Sequence, residues 1–235
     1  KYWDDWRREC DLADIIIANS EWSKSLLARD GVNENKIRVV PLAMEQNRAT
    51  FASHSKVPDE FNQDRPLHVL CLGQINLRKG IVPLIGAFQK LQHAHVHLHL
   101  VGNGPLFPWV KSQNLPNVTC YGAVGREESF QSYRNADIFI LPSFSDGFAI
   151  TQLEAQIAGL PIIASNNCGS VVQNQHNGLL LDEVSAEAIA DAVTSCLNNP
   201  ARISEWMKNS KLEARFTLEG LKDELQKISI DLSDN

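Results

Sequence analysis

Residues 137–154 read DIFILPSFSDGFAITQLE, and this stretch decides the fold of the 235-residue chain. The run DIFIL is short, apolar and rich in isoleucine, which predicts a buried strand. Pro142 ends the strand, and a helix is expected to start near Phe148, after a turn at Gly147. A strand followed at once by a helix is half of a βαβ unit. The stretch therefore predicts an α/β protein with a parallel sheet.

The same alternation of strand and helix continues on both sides. Strands are expected at 68–72, 96–101, 118–121, 137–141, 161–164 and 178–181, and helices at 80–92, 105–113, 127–135, 148–158, 170–175, 185–198 and 201–214. Upstream, residues 14–19, 21–29 and 37–41 are typical of one strand–helix–strand unit. The pattern predicts a doubly wound, Rossmann-like parallel sheet, which binds ligands beyond the carboxyl ends of its strands.

A polar, loop-like stretch over residues 46–65 marks the expected domain boundary. We interpret it as a linker between residues 1–45, which are too few to fold alone, and a domain over residues 66–235. Because the chain begins with Lys1 rather than methionine, we expect it to be a fragment. Residues 1–45 would then be the end of a first domain that is otherwise missing.

The bulk composition excludes several classes of protein. Hydrophobic residues make up 43% and charged residues 21%, as in ordinary globular proteins, and no run approaches the ~18 apolar residues of a membrane span. The net charge of -6 argues against nucleic acid as a partner, since phosphate binding needs a basic face. Five cysteines without a CxxC pair favour a reducing, cytoplasmic location over a disulfide framework or a zinc site. Peripheral membrane association of the full-length protein stays open.

The first segment with binding chemistry is GQINLRKG, from Gly73 to Gly80. A glycine directly after a strand lets a ligand approach the backbone. Arg78 and Lys79 then precede the start of a helix, and two cations beside a helix N-terminus suit a pyrophosphate. The alternative is a solvated basic turn, which by itself is about as plausible as a binding loop.

The second segment carries two carboxylates, Asp146 and Glu154. If the chain were helical over the eight steps from Asp146 to Glu154, it would rise about 12 Å and turn about 800°, which puts the carboxylates within about 80° of one face. A ligand with several hydroxyl groups could use both. The expected phosphate donors are the backbone amides at the start of this helix, those of Gly147, Phe148, Ala149 and Ile150. The alternative is that Asp146 only caps the helix and Glu154 lies on the surface.

Taken together, these segments resemble the family 4 retaining glycosyltransferases, which have the GT-B fold. Asp146 and Glu154 are similar to the two ends of that family's Glu-x7-Glu motif. The family's Ala-x3-Gly-x-Pro-hydrophobic run follows as Ala155, Gly159, Pro161 and Ile162. Further similar segments are the phosphate loop at 73–80, Asn103-Gly104-Pro105, the late turn at 177–180 and the stretch 13–42. Several motifs in the family's order make the resemblance specific.

The resemblance implies a role for each matched residue. Lys79 would bind the donor diphosphate together with Arg78 and the helix amides, Asp146 would hold hydroxyls of the donor sugar, and Glu154 would hold the ribose. The remaining donor-binding residues by resemblance are Gly73, Gln74, Asn103, Gly104 and Val124, the last three near the base. The reaction implied is transfer of a sugar from a nucleotide diphosphate to a sugar, lipid or protein acceptor, with retention and without a metal ion or other cofactor.

Two positions depart from the family pattern. Asp146 replaces the first glutamate and is one methylene shorter, and Gln74 replaces the arginine of the phosphate loop. A binding module that keeps the donor fold but has weakened catalysis is therefore one alternative. A GT-B epimerase is another, although the Gly-Phe turn before Glu154 favours a transferase. The alternating run His93, His95, His97 and His99 could hold a metal ion, but no carboxylate or cysteine interleaves with it, so a partly covered sheet face is the preferred interpretation.

Overall fold

The computed structural model describes residues 2–45 and 56–233 as alternating strands and helices. The helices are α1 (Tyr2–Leu12), α2 (Glu21–Arg29), α3 (Ile81–Lys90), α4 (Phe107–Ser112), α5 (Arg126–Arg134), α6 (Ile150–Ile157), α7 (Ala186–Leu197), α8 (Pro200–Asn209) and α9 (Leu218–Ser233). The strands are β1 (Ile16–Ala18), β2 (Ile37–Val39), β3 (Leu67–Leu72), β4 (Val96–Val101), β5 (Val118–Gly122), β6 (Ile138–Leu141), β7 (Ile162–Ser165) and β8 (Gly178–Leu181).

Strands β3 to β8 form one parallel sheet within residues 56–233, in the order β5-β4-β3-β6-β7-β8. The chain runs outward from β3 to β5, returns to the centre at β6 and then runs outward in the other direction. This is the strand order of the doubly wound fold, so the predicted fold class is confirmed. The order reverses between β3 and β6, and at that point the loops beyond their carboxyl ends open a crevice.

The central strands of the sheet are buried on both faces, and their successive side chains point to opposite sides. Val69 and Leu70 of β3 are both fully buried, but Val69 packs in the layer with α3 and α7 and Leu70 in the layer with α6. A parallel strand covered on both faces has to be apolar at nearly every position. This requirement explains why the short apolar runs predicted the strands within one or two residues.

The N-terminal strands pair only with each other among the described residues. β1 and β2 are parallel, and α2 connects them. Ser20 caps α2 by accepting a hydrogen bond from the Ser23 amide at 3.1 Å. This unit touches the rest of the chain near α9, where the Met44 amide donates to the Phe216 carbonyl at 2.8 Å. The predicted linker 46–65 is described only over residues 56–65, so the domain division stays a prediction.

The helix expected at 170–175 is wrong. That segment has no helical turn and ends in a bridge at Asn174. Its backbone groups are bound by side chains of other elements: Gln156 donates to the Val171 carbonyl at 3.2 Å, and Trp206 Nε1 donates to the Gln175 carbonyl at 3.0 Å. These contacts come from α6 and α8, so the local pattern of residues 170–175 cannot report them.

Helices at both ends of the chain also differ from the prediction. The expected helix 201–214 ends at Asn209, and α1 and α9 were not predicted. α1 has no buried residue among those that the structure describes. Among the described residues, no helix is both long enough and apolar enough to span a membrane.

Candidate functional site

The loop after β3 is shaped by Asn76 and Gly80. Asn76 begins a short 3-10 turn over Leu77–Lys79, and its side-chain oxygen accepts a hydrogen bond from the Lys79 amide at 3.1 Å. Gly80 has φ of 68°, a left-handed conformation, and a Cβ there would lie 1.9 Å from the Pro142 carbonyl oxygen. Only glycine satisfies both conditions. The glycine thus lets the loop after β3 touch the loop after β6.

Arg78 ties these two loops together. Its carbonyl accepts from the Phe144 amide at 2.8 Å, and its Nη1 donates to the Ser145 carbonyl at 2.8 Å. The two loops follow neighbouring strands at the point where the strand order reverses. Residues that lie 67 positions apart in the sequence are therefore brought together at the edge where a doubly wound sheet binds ligands.

Lys79 and Asp146 form an ion pair across this junction, between Lys79 Nζ and Asp146 Oδ2. Arg78 Nη1 lies 3.6 Å from the other carboxylate oxygen. The Lys79 and Asp146 side chains are only 12% and 13% exposed, so solvent screens their attraction weakly. Lys79, the cation predicted to bind a diphosphate, thus contacts Asp146, the carboxylate predicted to bind a sugar. A positive charge and a hydrogen-bond acceptor therefore lie next to each other.

Glu154 lies one turn into α6 and has a different kind of partner. Its Oε2 accepts a hydrogen bond from the Tyr133 hydroxyl of α5 at 2.6 Å. Burial raises the pKa of Glu154, and the Tyr133 hydrogen bond and the charge of Arg126 oppose that rise. Tyr133 itself is fully buried. The carboxylate is thus oriented by a neutral group rather than neutralised by a cation.

The start of α6 corrects the helical geometry expected between the two carboxylates. α6 begins at Ile150, so residues 146–149 are not helical and the estimate of a shared helix face does not apply. The amide of Ala149 is also engaged, since it donates to the Cys168 carbonyl at 3.5 Å. Phe148 and Ala149 are buried, while Gly147 is half-buried and Ile150 is exposed. Of the four expected phosphate donors, the amides of Gly147, Phe148 and Ile150 therefore remain as candidates.

The loops after β3 and β4 lie against each other. The Ile75 amide donates to the Asn103 carbonyl at 3.0 Å, and Asn103 Oδ1 accepts from the Gly104 amide at 2.8 Å. A Cβ on Gly104 would lie 2.5 Å from the Ile75 carbonyl oxygen, so glycine permits the contact. Gly73, half-buried with an open space above its Cα, begins the first of these loops.

Gln74 is exposed, and its side-chain oxygen accepts a hydrogen bond from the side-chain nitrogen Nδ2 of Asn76 at 3.0 Å. Val124 lies beyond β5 on the wall of a cavity of about 450 Å³ that also includes His99 and Tyr121. Gln74 follows β3 and Val124 follows β5, so both lie beyond the carboxyl ends of strands in the same parallel sheet. Neither of them contacts the pair of Lys79 and Asp146 through a hydrogen bond in the described residues.

The N-terminal unit approaches the same edge of the sheet. A Cβ on Gly147 would lie 3.0 Å from both Asn19 Oδ1 and Ser23 Oγ. Ser23 Oγ also donates to Asn19 Oδ1 at 2.8 Å. Two neutral polar groups thus stand against the turn that separates Asp146 from α6, and any larger side chain at position 147 would push them away.

The histidines form a polar patch on the sheet face. His68 and His99 are joined by a 2.9 Å contact between ring nitrogens, and His99 contacts the Tyr121 hydroxyl at 2.8 Å. His97 bonds to Thr119, whereas His93 and His95 precede the strand. Burial, with the neighbouring histidines, lowers the pKa of His99 to about 4. Over residues 2–45 and 56–233, no group of three or more His, Cys, Asp or Glu side chains is arranged as a metal site.

Sequence reasoning missed Tyr133 and Asn76. Tyr133 lies in a helix whose pattern gave no sign of a polar contact 21 residues away. Asn76 carried a signal that could have been used, because an asparagine three residues before the Lys79 amide is typical of a cap. Both act on residues that the sequence did identify.

Comparisons with known proteins agree with this architecture. The family described as glycosyl transferases group 1 matches residues 55–213. A GDP-mannose-dependent alpha-(1-6)-phosphatidylinositol monomannoside mannosyltransferase of Mycobacterium tuberculosis is 27% identical over 209 residues, 81% of this chain and 54% of its own length. A D-inositol 3-phosphate glycosyltransferase of Pseudarthrobacter chlorophenolicus is 29% identical over 210 residues, 83% of this chain and 50% of its own length. The chain thus spans about half the length of these curated relatives.

Solved structures give the same fold. Sucrose-phosphate synthase from Thermosynechococcus elongatus superposes with a TM-score of 0.75 at 26% identity, over 94% of this chain and 59% of that one. HepE of Anabaena, solved in complex with UDP and glucose, superposes with a TM-score of 0.73 at 20% identity, over 95% of this chain and 64% of that one. The predicted GT-B fold is therefore confirmed, and the chain belongs to the group 1 glycosyltransferase family.

Proposed function

We propose that the chain supplies the donor side of a glycosyltransferase that moves a sugar from a nucleoside diphosphate to an acceptor with retention of configuration. The observation that carries the proposal is the ion pair of Lys79 and Asp146 at the carboxyl edge of the sheet, followed along the chain by Glu154 in α6. It combines a shielded cation with two carboxylates, which are the groups that a diphosphate, a sugar and a ribose require. The solved HepE complexes contain UDP or UDP-glucose, which supports this class of ligand.

Lys79 would act on the leaving group. As the bond to the sugar breaks, negative charge grows on the terminal oxygen of the diphosphate, and a fixed cation beside it stabilises that charge. The pairing with Asp146 keeps the ammonium group in place before the donor arrives. The first amides of α6 would assist, and this part of the reaction would need no metal ion or other cofactor.

Asp146 and Glu154 would hold hydroxyl groups at the two ends of the donor. Asp146 already accepts from Lys79, and its other oxygen faces Arg78 at 3.6 Å, so a sugar hydroxyl would bind at a carboxylate that is already charged. Glu154 has one oxygen bound to Tyr133, and its other oxygen would accept from the ribose. A carboxylate accepting from hydroxyl groups makes charge-assisted bonds that are stronger than neutral ones.

The acceptor would enter from the side of the N-terminal unit. Asn19 and Ser23 stand against Gly147, next to the expected sugar position. Neutral oxygen and nitrogen groups there suit an acceptor with hydroxyl groups, whether it is a sugar, a lipid headgroup or a protein. We place the reaction in a reducing, cytoplasmic compartment, which the five free cysteines support.

A donor-binding module with weakened catalysis is a second candidate. It is favoured by Gln74, which stands where the family resemblance implies an arginine and which is bonded to Asn76 instead of carrying a charge. Turnover separates the two candidates. Release of the nucleoside diphosphate in the presence of an acceptor supports the transferase, whereas donor binding without release supports the module.

The test of donor binding is a thermal-shift titration of the chain against UDP, GDP, ADP and their sugars, with the matching nucleosides as controls. A ligand that binds only the folded state raises the melting temperature, and at a given concentration a tighter ligand raises it further. We expect at least one diphosphate to raise it while its nucleoside does not. No shift with any diphosphate at millimolar concentration would contradict the proposed function.

A further inference from the structure

The contact between Tyr133 and Glu154 joins the site to helix α5. Tyr133 is fully buried in the layer between α5 and the sheet, where its ring lies 5.8 Å from that of Phe139. A phenylalanine would satisfy this packing equally well, because only the hydroxyl reaches out of the apolar layer. That hydroxyl donates to Glu154 Oε2 at 2.6 Å.

The packing fixes the position of the hydroxyl. A fully buried aromatic ring has little freedom to rotate away, so its polar end is held at one point. The hydroxyl also lies 3.4 Å from the Thr151 carbonyl, one turn before Glu154 in α6. Glutamate has three side-chain torsions, and without such a partner its carboxylate would sample several rotamers.

We propose that Tyr133 is a positioning residue for Glu154, fixing one carboxylate oxygen so that the other faces the ribose of the donor. The inference rests on the proposed function, because it needs a nucleotide at Glu154. It adds to that function a residue on a different helix, α5, that never touches the ligand. A carboxylate that is oriented in advance loses less entropy when it binds.

Tyr133 also keeps the carboxylate charged. Burial raises the pKa of Glu154, and the groups that oppose this are the Tyr133 hydroxyl and the exposed Arg126, both on α5. Without the hydroxyl, Glu154 would therefore take up a proton at a higher pH than in the parent chain. Since a protonated carboxyl accepts hydroxyl donors less well, nucleotide affinity in Tyr133→Phe should begin to fall at a higher pH as the solution is acidified.

The experiment is calorimetric titration of the parent chain with the diphosphate that binds it, compared with Tyr133→Phe, over a range of pH. We expect Tyr133→Phe to bind about three- to tenfold more weakly at neutral pH, in line with the loss of one hydrogen bond to a charged group. We also expect the acid limb of its affinity to move to higher pH. Tyr2→Phe is the matched control, because it removes a tyrosine hydroxyl from the exposed helix α1, away from the site residues.

A double-mutant cycle shows whether Tyr133 acts through Glu154. In a Glu154→Ala background, Tyr133→Phe should have no further effect on nucleotide affinity. An equal loss in both backgrounds, or a Tyr133→Phe chain that keeps the parent's affinity and pH dependence, would overturn the positioning role. If the parent itself binds no diphosphate, it is the proposed function that fails.

A second measurement covers a Tyr133→Phe chain that does not fold. With tyrosine labelled by carbon-13 at Cζ, the Tyr133 signal of the folded parent should shift as Glu154 titrates and again when the diphosphate binds. The Tyr2→Phe and Tyr121→Phe variants identify that signal by removing those of the other two tyrosines, and Glu154→Gln tests its response. A Tyr133 resonance that responds to neither change would contradict the inference on its own.

Discussion

The two carboxylates of the site are eight residues apart in the sequence and are held in opposite ways. Asp146, in the loop after β6, pairs with the charged Lys79, whereas Glu154, in α6, is bonded to the neutral Tyr133. A cation stabilises the charged form of a carboxylate, whereas burial raises the pKa of Glu154 and the Tyr133 hydrogen bond opposes that rise only in part. We therefore expect the ion pair of Asp146 to stabilise the folded chain. The buried carboxylate of Glu154 should contribute to ligand binding rather than to folding stability.

Lys79→Ala should have the largest effect, because it removes the cation from the Asp146 region. Diphosphate binding should weaken at least about tenfold, about 1.4 kcal/mol, while binding of the nucleoside stays almost unchanged. Calorimetric titration with both ligands measures this. Lys90→Ala is the control, since Lys90 pairs with Glu187 on the exposed surface. Diphosphate binding equal to the parent's would favour a solvated turn over a phosphate loop at residues 73–80.

Neutral isosteres at the two carboxylates should change stability unequally. Asp146→Asn leaves a shielded Lys79 with a weaker partner and should lower the free energy of unfolding by about 1 kcal/mol at pH 7. Glu154→Gln should leave it unchanged or raise it, because a raised pKa means that folding disfavours the charged form. That cost is present above the folded pKa and disappears as the pH falls below the unfolded value. Urea unfolding at pH 7 compares the two, and equal losses would contradict the distinction.

The same two variants should affect binding in the reverse order. Glu154→Gln should weaken binding of the free diphosphate about fivefold, since the ribose loses a charged acceptor. Asp146→Asn should weaken it less, because Asp146 is expected to hold the sugar, which the free diphosphate lacks. Titration of each variant with UDP or GDP provides the comparison. Should Asp146→Asn lose more affinity than Glu154→Gln, the assigned roles are reversed.

Gln74→Arg should have the smallest effect on diphosphate binding. It tests whether an added cation in the loop after β3 strengthens that binding. It adds a charge near Lys79 but breaks the bond to Asn76 that holds the present side chain. The net result expected is about threefold tighter diphosphate binding. Gln74→Lys serves as a second cationic variant and Gln74→Met as a neutral one. Unchanged affinity in both cationic variants would mean that position 74 lies outside the phosphate site.

Most of the fold could be predicted from the sequence because its central strands are buried on both faces. The run IFIL at 138–141 is fully buried, and a continuous apolar run of that length between turns is a local signal. Residues 170–175 gave a local signal that was wrong. Their carbonyl groups are bound by Gln156 of α6 and Trp206 of α8, which no local pattern reveals.

The sequence could identify individual residues of the site but not the contacts between them. Lys79, Asp146 and Glu154 were identified by motif, but their partners could not be, because the ion pair spans 67 residues and the Tyr133 bond spans 21. Sequence spacing also suggested a shared helix face for the two carboxylates, whereas α6 begins only at Ile150. The sequence does not show the tertiary contacts that bring Lys79 to Asp146 and Tyr133 to Glu154.

The most direct measurement is a crystal structure of the chain with the nucleoside diphosphate that stabilises it. We predict that diphosphate oxygens lie within hydrogen-bond distance of Lys79 Nζ and that a ribose hydroxyl contacts the Glu154 oxygen opposite Tyr133. A nucleotide bound elsewhere, for example in the cavity beside His99 and Tyr121 with Lys79 and Glu154 untouched, would contradict the account.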